Sequence, residues 1–368
     1  MPHTPRPISK ALRKLLHVLA RPMKSDKGHG GIVVNAYRGY GSQREVFVMG
    51  RVFRQLRIGL PAPEGTLYRD IVDVFRRMLR WGAKHVEITL DVEGNRTQVT
   101  TDRDGYFDIH LPLSKSLAPD QSWHTGTLDI VMRDERTVCA KVDIYIPPAE
   151  VDLVVISDID DTVMYTGVAN KLKMMYRLFF RKAHQRVAFP GVAELYQALF
   201  VGADGQRRRP LLYVSRGPWS IYEVLEEFFQ RNNIPIGPIL FLREWGLTLQ
   251  RPLPRKSEDH KANLIQQMLE LYDDLPFVLI GDSGQHDPET YARIVREYPG
   301  RIKTIYIRSV NQDASRHEEI EALGREIIDA GCSLLLAADS VSMAEHAFDQ
   351  ELISAAGLQA VRQAPSGN

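Results

Sequence analysis

The chain has 368 residues, 44% of them hydrophobic and 25% charged, with a net charge of +1. That balance matches an ordinary soluble globular protein of about two domains, and a charge near zero argues against nucleic acid as a partner. Two distant cysteines, Cys139 and Cys332, exclude a disulfide framework and fit a reducing, cytoplasmic setting. No apolar stretch approaches the roughly 18 residues needed to span a bilayer.

Residues 1–30 form a basic extension. Arg6, Lys10, Arg13, Lys14, Arg21, Lys24 and Lys27 stand against one acid, Asp26. The spacing of Ile8, Leu12, Leu15, Leu16 and Leu19 predicts a helix over 8–21 with one apolar face. Such a helix suits the surface of an anionic membrane or a dock on its own protein, so peripheral membrane association joins the cytoplasmic expectation. Its apolar run, 15–20, is too short for a secretory signal.

Residues 31–148 read as a mainly β, sandwich-like domain. Val86, Ile88, Leu90 and Val92 alternate with polar residues, as do Val142, Ile144 and Ile146. A period of two marks sheets with one wet face. Thr101–Phe107 reads as an Asp-Gly turn entering a strand. One helix is expected at 66–81, from Leu67, Ile71, Val74, Phe75 and Met78. Pro147-Pro148 closes this part.

Residues 149–368 change pattern. Apolar runs at 153–156, 211–214, 239–242, 277–280, 302–307 and 334–336 alternate with helical stretches such as 192–200, 220–231, 260–272 and 288–298. Strands alternating with helices imply βαβ units and a mostly parallel α/β sheet. The tail from Pro365 is expected to be disordered.

Four chemistry-bearing features fall in this half. Asp158-Ile159-Asp160-Asp161-Thr162 follows the first apolar run. Three carboxylates in four residues repel one another and call for a positive partner, most simply a divalent metal. Ser215 ends the second run. Lys261 opens the helical stretch 260–272, with Lys256 as a competitor for the same role. Gly281-Asp282-Ser283-Gly284-Gln285-His286-Asp287 follows the run 277–280. In a parallel sheet the acidic cluster, Ser215 and the Asp282 loop share one edge, where open α/β sheets bind ligands. Carboxylates, a hydroxyl and an ammonium together suit phosphoryl transfer. Taken singly, each feature is equally a cap, a turn or a solvated charge.

The order of these motifs resembles the haloacid dehalogenase superfamily of phosphohydrolases. More narrowly, Ser157–Val163, Ser215–Trp219 and Gly281–Glu289 resemble the actin-patch-type phosphatidate phosphatases and their bacterial relatives. The resemblance implies a Rossmannoid parallel sheet and a role for each matching residue. Asp158 would attack phosphorus and form an aspartyl-phosphate. Asp160 would act as general acid, then general base. Mg²⁺ would be held by the Asp158 carboxylate, the Asp160 carbonyl and Asp282, with Asp287 completing the acidic shell. Ser215 would bind a phosphate oxygen, and Lys261 would offset charge on nucleophile and phosphate. Thr162 would shape the loop; Asp161 is a further candidate ligand, set against the alternation of the loop, which turns it away.

The expected reaction is Mg²⁺-dependent hydrolysis of phosphatidate to diacylglycerol and phosphate. The alternatives are a phosphatase for a soluble or protein phosphomonoester, and a lipid-binding adaptor without turnover. From Thr162 to Ala193 there is no acid, while Lys171, Lys173, Arg177, Arg181, Lys182 and Arg186 alternate with Met and aromatic residues. That composition suits an anionic headgroup and its acyl boundary, or an apolar face packed on the core under solvated charges.

Overall fold

The structure, a computed structural model, describes residues 32–54, 81–131, 137–159, 162–163, 189–215, 219, 222–241, 258–310 and 313–365. The expected helix at 8–21, nearly all of that at 66–81, Asp160, Asp161, Lys256 and the basic stretch 164–188 lie outside the described residues. Trp81, placed by periodicity at the end of the 66–81 helix, instead begins a strand.

The first half is all strand among the described residues. It comprises β1 (Ile32–Ala36), β2 (Gly39–Gly41), β3 (Glu45–Arg54), β4 (Trp81–Gly82), β5 (Glu87–Val92), β6 (Asn95–Thr100), β7 (Tyr106–Pro112), β8 (Trp123–Val131) and β9 (Thr137–Tyr145). Pairing is antiparallel except between β2 and β9. The alternation read from the sequence decides the faces. In β5, Ile88, Leu90 and Val92 are buried while Glu87 is exposed. Glu93 and Gly94 join β5 to β6 with φ of 49° and 84°, the two positive values a tight hairpin turn demands. Val46, Val48 and Val52 of β3 share one core with Ile109 of β7, Leu128 of β8 and Ile144 of β9. β2 pairs with both β3 and β9, which joins the strands into one nine-stranded hydrogen-bonded sheet, with β4 and β7 branching from β3.

The second half alternates strand and helix. Its elements are β10 (Val154–Asp158), α1 (Val192–Val201), β11 (Leu211–Ser215), α2 (Tyr222–Arg231), β12 (Ile239–Phe241), α3 (Glu258–Leu271), β13 (Phe277–Asp282), α4 (Asp287–Glu297), β14 (Ile302–Arg308), α5 (Ala314–Ile327), β15 (Ser333–Ala337), α6 (Ser340–Asp349) and α7 (Ala355–Gln363). The six strands are parallel, in the order β12-β11-β10-β13-β14-β15. Counted from β10, that is the 3-2-1-4-5-6 order of a doubly wound sheet. Residues of β10, β11 and β13 are buried throughout, because helices cover both faces. Val155, Tyr213, Val278 and Tyr306 face the α1, α2, α6 and α7 side. Val154, Leu212, Leu279 and Ile305 face the α3, α4 and α5 side. The chain reverses its direction of travel across the sheet between β10 and β13, and a crevice at their carboxyl ends follows from that topology.

The β-rich half packs into this sheet. Tyr37, between β1 and β2, is buried in the core of the α1 and α2 side. Its ring stacks on Trp219 at 4.8 Å and tilts against Tyr222 at 4.4 Å. The Arg38 amide donates to the Tyr222 hydroxyl at 2.9 Å, Asn35 Nδ2 donates to Glu223 at 2.9 Å, and Arg38 pairs with Glu226. A second knot ties the end of the chain to the start of β10. Arg209, 1% exposed, grips Asp152 through Nε at 2.6 Å and Nη2 at 2.7 Å, and its Nη1 donates to Leu352 O at 2.6 Å. Among the described residues, no helix is long and apolar enough to cross a membrane.

Candidate active site

The crevice at the carboxyl ends of β10 and β13 is built by strand endings. Asp158 is the last residue of β10 and Asp282 the last of β13. Ser157 aligns with Ile280 across the parallel pair, so the two aspartates emerge side by side. Ser215, the last residue of β11, lies one step past Val214, the register partner of Asp158. Asp158, Ser215 and Asp282 are all fully buried. Apolar runs force these strands into the interior, and the polar residue that ends each strand is carried, still buried, to the carboxyl edge of the sheet.

Lys261, in the first turns of α3, reaches the crevice from the side. It is 1% exposed. Its Nζ donates to Asp158 Oδ1 at 2.7 Å and to Asp287 Oδ1 at 2.5 Å. The ammonium also lies 5.6 Å from the centre of the Tyr291 ring, close enough for cation–π attraction. Asp287 opens α4, where the helix dipole favours a negative charge. Its Oδ2 accepts the Asp282 amide at 3.3 Å. Asp282 is oriented in turn by the Gly284 amide on Oδ1 at 2.7 Å and by Gln285 Nε2 on Oδ2 at 2.8 Å. Asp158, Asp282 and Asp287 each bring a carboxylate oxygen within 4.8 Å of the others.

The close approach of Asp287 depends on Gly281. A Cβ at that position would sit 2.4 Å from Asp287 Oδ2 and 2.9 Å from Tyr291 Cε2. The glycine before Asp282 therefore leaves the space through which the two aspartates meet.

Of the residues picked from the sequence, Asp158, Lys261, Asp282 and Asp287 form one connected cluster, and Ser215 ends the neighbouring strand. Asp160 lies outside the described residues. Sequence reasoning missed the residues that hold the loops. Arg316 of α5 donates to Ser283 O at 3.1 Å and Gln285 O at 3.0 Å, and pairs with both oxygens of Glu289. Burial disfavours the charge on Glu289, but the Arg316 hydrogen bonds and charge overcome it and hold the carboxyl below its usual range. Ser157 Oγ shares a 2.5 Å hydrogen bond with Tyr196 OH and donates to Asp158 O at 2.8 Å, which pins the backbone behind Asp158. Arg308, closing β14 beside Asp282, is also buried. Arg316 left no local signal, being 33 residues from Ser283. Arg308 left none either, since Thr162, its partner, is 146 residues away.

Residues 153–309 match the family model described as phosphatidate phosphatase APP1, catalytic domain. Phosphatidate phosphatase APP1 of Saccharomyces cerevisiae is 33% identical over 178 residues, 48% of this chain and 29% of that protein. An uncharacterized protein of Schizosaccharomyces pombe is 28% identical over 159 residues, 43% of this chain and 25% of that protein. The chain thus spans less than a third of the length of these relatives. Among solved structures, a bacterial immunoglobulin-like domain from the M. primoryensis ice-binding adhesin aligns with 32% of this chain and 95% of its own, at 15% identity and a TM-score of 0.17, too low to bear on the fold. The matched segment contains Asp158, Ser215, Lys261, Asp282 and Asp287. Through residues 153–309, the chain is similar to the catalytic domain of phosphatidate phosphatase APP1.

Proposed function

We propose that the protein is a Mg²⁺-dependent phosphatidate phosphatase of the haloacid dehalogenase type, releasing diacylglycerol and phosphate. The observation that carries this reading is the buried cluster of Asp158, Asp282, Asp287 and Lys261 at the switch point of the sheet, inside the family-matched segment.

The donor set supports a metal. Among the described residues, the cluster sets three buried carboxylates against one buried ammonium, an excess of negative charge. A divalent ion neutralises that excess, and oxygen donors select a hard cation such as Mg²⁺. Asp158 and Asp282 would hold it together with the Asp160 carbonyl. Asp287 would complete the acidic shell while it orients Lys261 and the Asp282 amide. When bound, the ion offsets charge on the phosphoryl oxygens.

The chain's own groups then carry the chemistry. An Asp158 carboxylate oxygen attacks phosphorus as the bond to the lipid oxygen breaks, and the Asp160 carboxyl gives its proton to the departing alkoxide. Asp160, now a carboxylate, takes a proton from water. The hydroxide displaces Asp158 from phosphorus, which frees phosphate and restores the nucleophile. Lys261 keeps Asp158 oriented and offsets the charge that builds between carboxylate and phosphate, and Ser215 donates to a phosphate oxygen. The basic stretch from Lys171 to Arg186 and the basic extension 1–30 support lipid over soluble substrates.

Phosphate release from phosphatidate in mixed micelles, measured beside lysophosphatidate, diacylglycerol pyrophosphate and soluble phosphomonoesters, tests this. Preference for phosphatidate is expected. Faster turnover of a soluble ester would reassign the substrate, and binding to anionic vesicles with no turnover of any ester would make the protein an adaptor.

A further inference from the structure

The crevice is closed on its far side by Arg308. It is the last residue of β14, in register with Asp282 on one side and Ala337 of β15 on the other, and 3% exposed. Its guanidinium spans three separate pieces of chain. Nε donates to the carbonyl of Thr162 at 3.1 Å. Nη2 donates to Ser340 Oγ, the first residue of α6, at 3.0 Å. The planar group lies 4.3 Å over the ring of Phe189.

These contacts converge on the turn that follows Asp158. The chain leaves β10, turns through 159–163, and re-enters the described structure at Phe189. The Val163 amide closes the turn on Ile159 O at 3.1 Å, and the Phe189 amide returns to Val163 O at 3.4 Å. Arg308 therefore touches the outgoing strand of this neck at Thr162 and the incoming one at Phe189. Burying a guanidinium is costly, and desolvation lowers the affinity of this one for its proton. An apolar side chain would fill the same space at lower cost if packing were the only need. A planar fork with a stacking face meets a carbonyl, a hydroxyl and a ring at once, which a lysine does not.

We infer that Arg308 is a positioning residue that locks the turn after Asp158, at Thr162, to β14, and so fixes the nucleophile relative to Asp282. It touches neither substrate nor the reacting atoms. Its effect runs through the Thr162 carbonyl. The inference rests on the proposed phosphatase reading for its kinetic consequence, but not for its structural one.

The test uses the full chain and the variant Arg308→Lys, followed by amide hydrogen exchange and by steady-state phosphate release. Exchange in the segment 159–163 is expected to rise roughly tenfold, while β13 keeps its wild-type protection. In the same variant kcat is expected to fall roughly tenfold or more with KM nearly unchanged, as misplacement of reacting groups predicts. If Arg308→Lys does not fold, Ser340→Ala removes one anchor of the guanidinium and is expected to raise exchange in 159–163 by about twofold, with β13 again unaffected. Unchanged exchange in 159–163 overturns the inference, as does a rise shared equally by β13, which would make Arg308 a general packing residue. If the wild-type protein hydrolyses no phosphoester while exchange responds as expected, the clamp stands and the phosphatase reading is what fails.

Discussion

Lys261 Nζ and Asp158 Oδ1 lie 2.7 Å apart with neither side chain open to solvent. A buried ion pair of this kind contributes little to stability by itself, since desolvation offsets the attraction. It aims a carboxylate in a place where water cannot do so. The same lysine also reaches Asp287, so two carboxylates share one ammonium.

Asp158→Asn tests the nucleophile. Asparagine keeps the shape and an acceptor for Lys261 but cannot form the acyl phosphate. Phosphate release is expected to fall by roughly 10⁴-fold or more, with far-UV circular dichroism and the urea midpoint little changed. An active Asp158→Asn enzyme would remove Asp158 from the mechanism.

Lys261→Met tests the charge balance. The variant would leave three buried carboxylates without their ammonium, at an expected cost of about 3–5 kcal/mol of folding stability. Urea unfolding should show the loss in metal-free buffer. Because the missing positive charge makes a cation more welcome, Mg²⁺ should raise the midpoint of the variant more than that of the wild type. Equal midpoints for the two proteins without metal would show that the ammonium is not what stabilises the cluster.

Gly281→Ala tests the space between the aspartates. The added methyl would meet Asp287 Oδ2 at 2.4 Å, and this oxygen has no free path outward because its carboxylate is tied to Lys261 and the Asp282 amide. Displacement of Asp287 by about an ångström should lower kcat roughly a hundredfold. A crystal structure of the variant with Asp287 in place and full turnover would contradict the crowding argument.

Removal of metal should silence the enzyme. EDTA is expected to abolish phosphate release and Mg²⁺ to restore it, whereas Asp282→Asn should raise the Mg²⁺ concentration required by an order of magnitude or so. Turnover indifferent to chelation would mean that the three-aspartate cluster holds no catalytic ion.

Acid should loosen the knot at Asp152. Burial works against its charge, but the Arg209 hydrogen bonds and charge win and hold the carboxyl below its ordinary value. A depressed folded-state value contributes stability above the unfolded-state value, near pH 4, and that share is lost as pH falls through the folded-state value. Arg209→Met should therefore lower stability at pH 7 and flatten the decline on acidification. Parallel stability–pH curves for the two proteins would assign the acid response elsewhere.

The α/β half was legible because its strands are buried on both faces. Val154–Ile156, Leu211–Val214 and Phe277–Ile280 read as continuous apolar runs, and Asp158, Ser215 and Asp282 just beyond them marked the crevice. Lys261 was legible through its place at the start of α3. Arg316 and Arg308 were not, because their partners lie 33 and 146 residues away and only the folded sheet brings them together. Helices α5, α6 and α7 went unread, since their apolar faces are narrow. Only Ile320 and Ile327 are buried in α5, and only Leu358 and Val361 in α7. In the β-rich half the alternation of β5 and β9 was clear, but Tyr37 looked like any aromatic between strands.

Tyr37 has a practical consequence for anyone trimming the gene. The family-matched stretch starts at residue 153, so a minimal clone cut there would discard the ring that shields Trp219. It would also strip Tyr222 of its cover and leave an oily scar at the foot of the segment leading away from Ser215. Such a fragment should precipitate or misbehave on a sizing column, while one beginning at residue 32 should not.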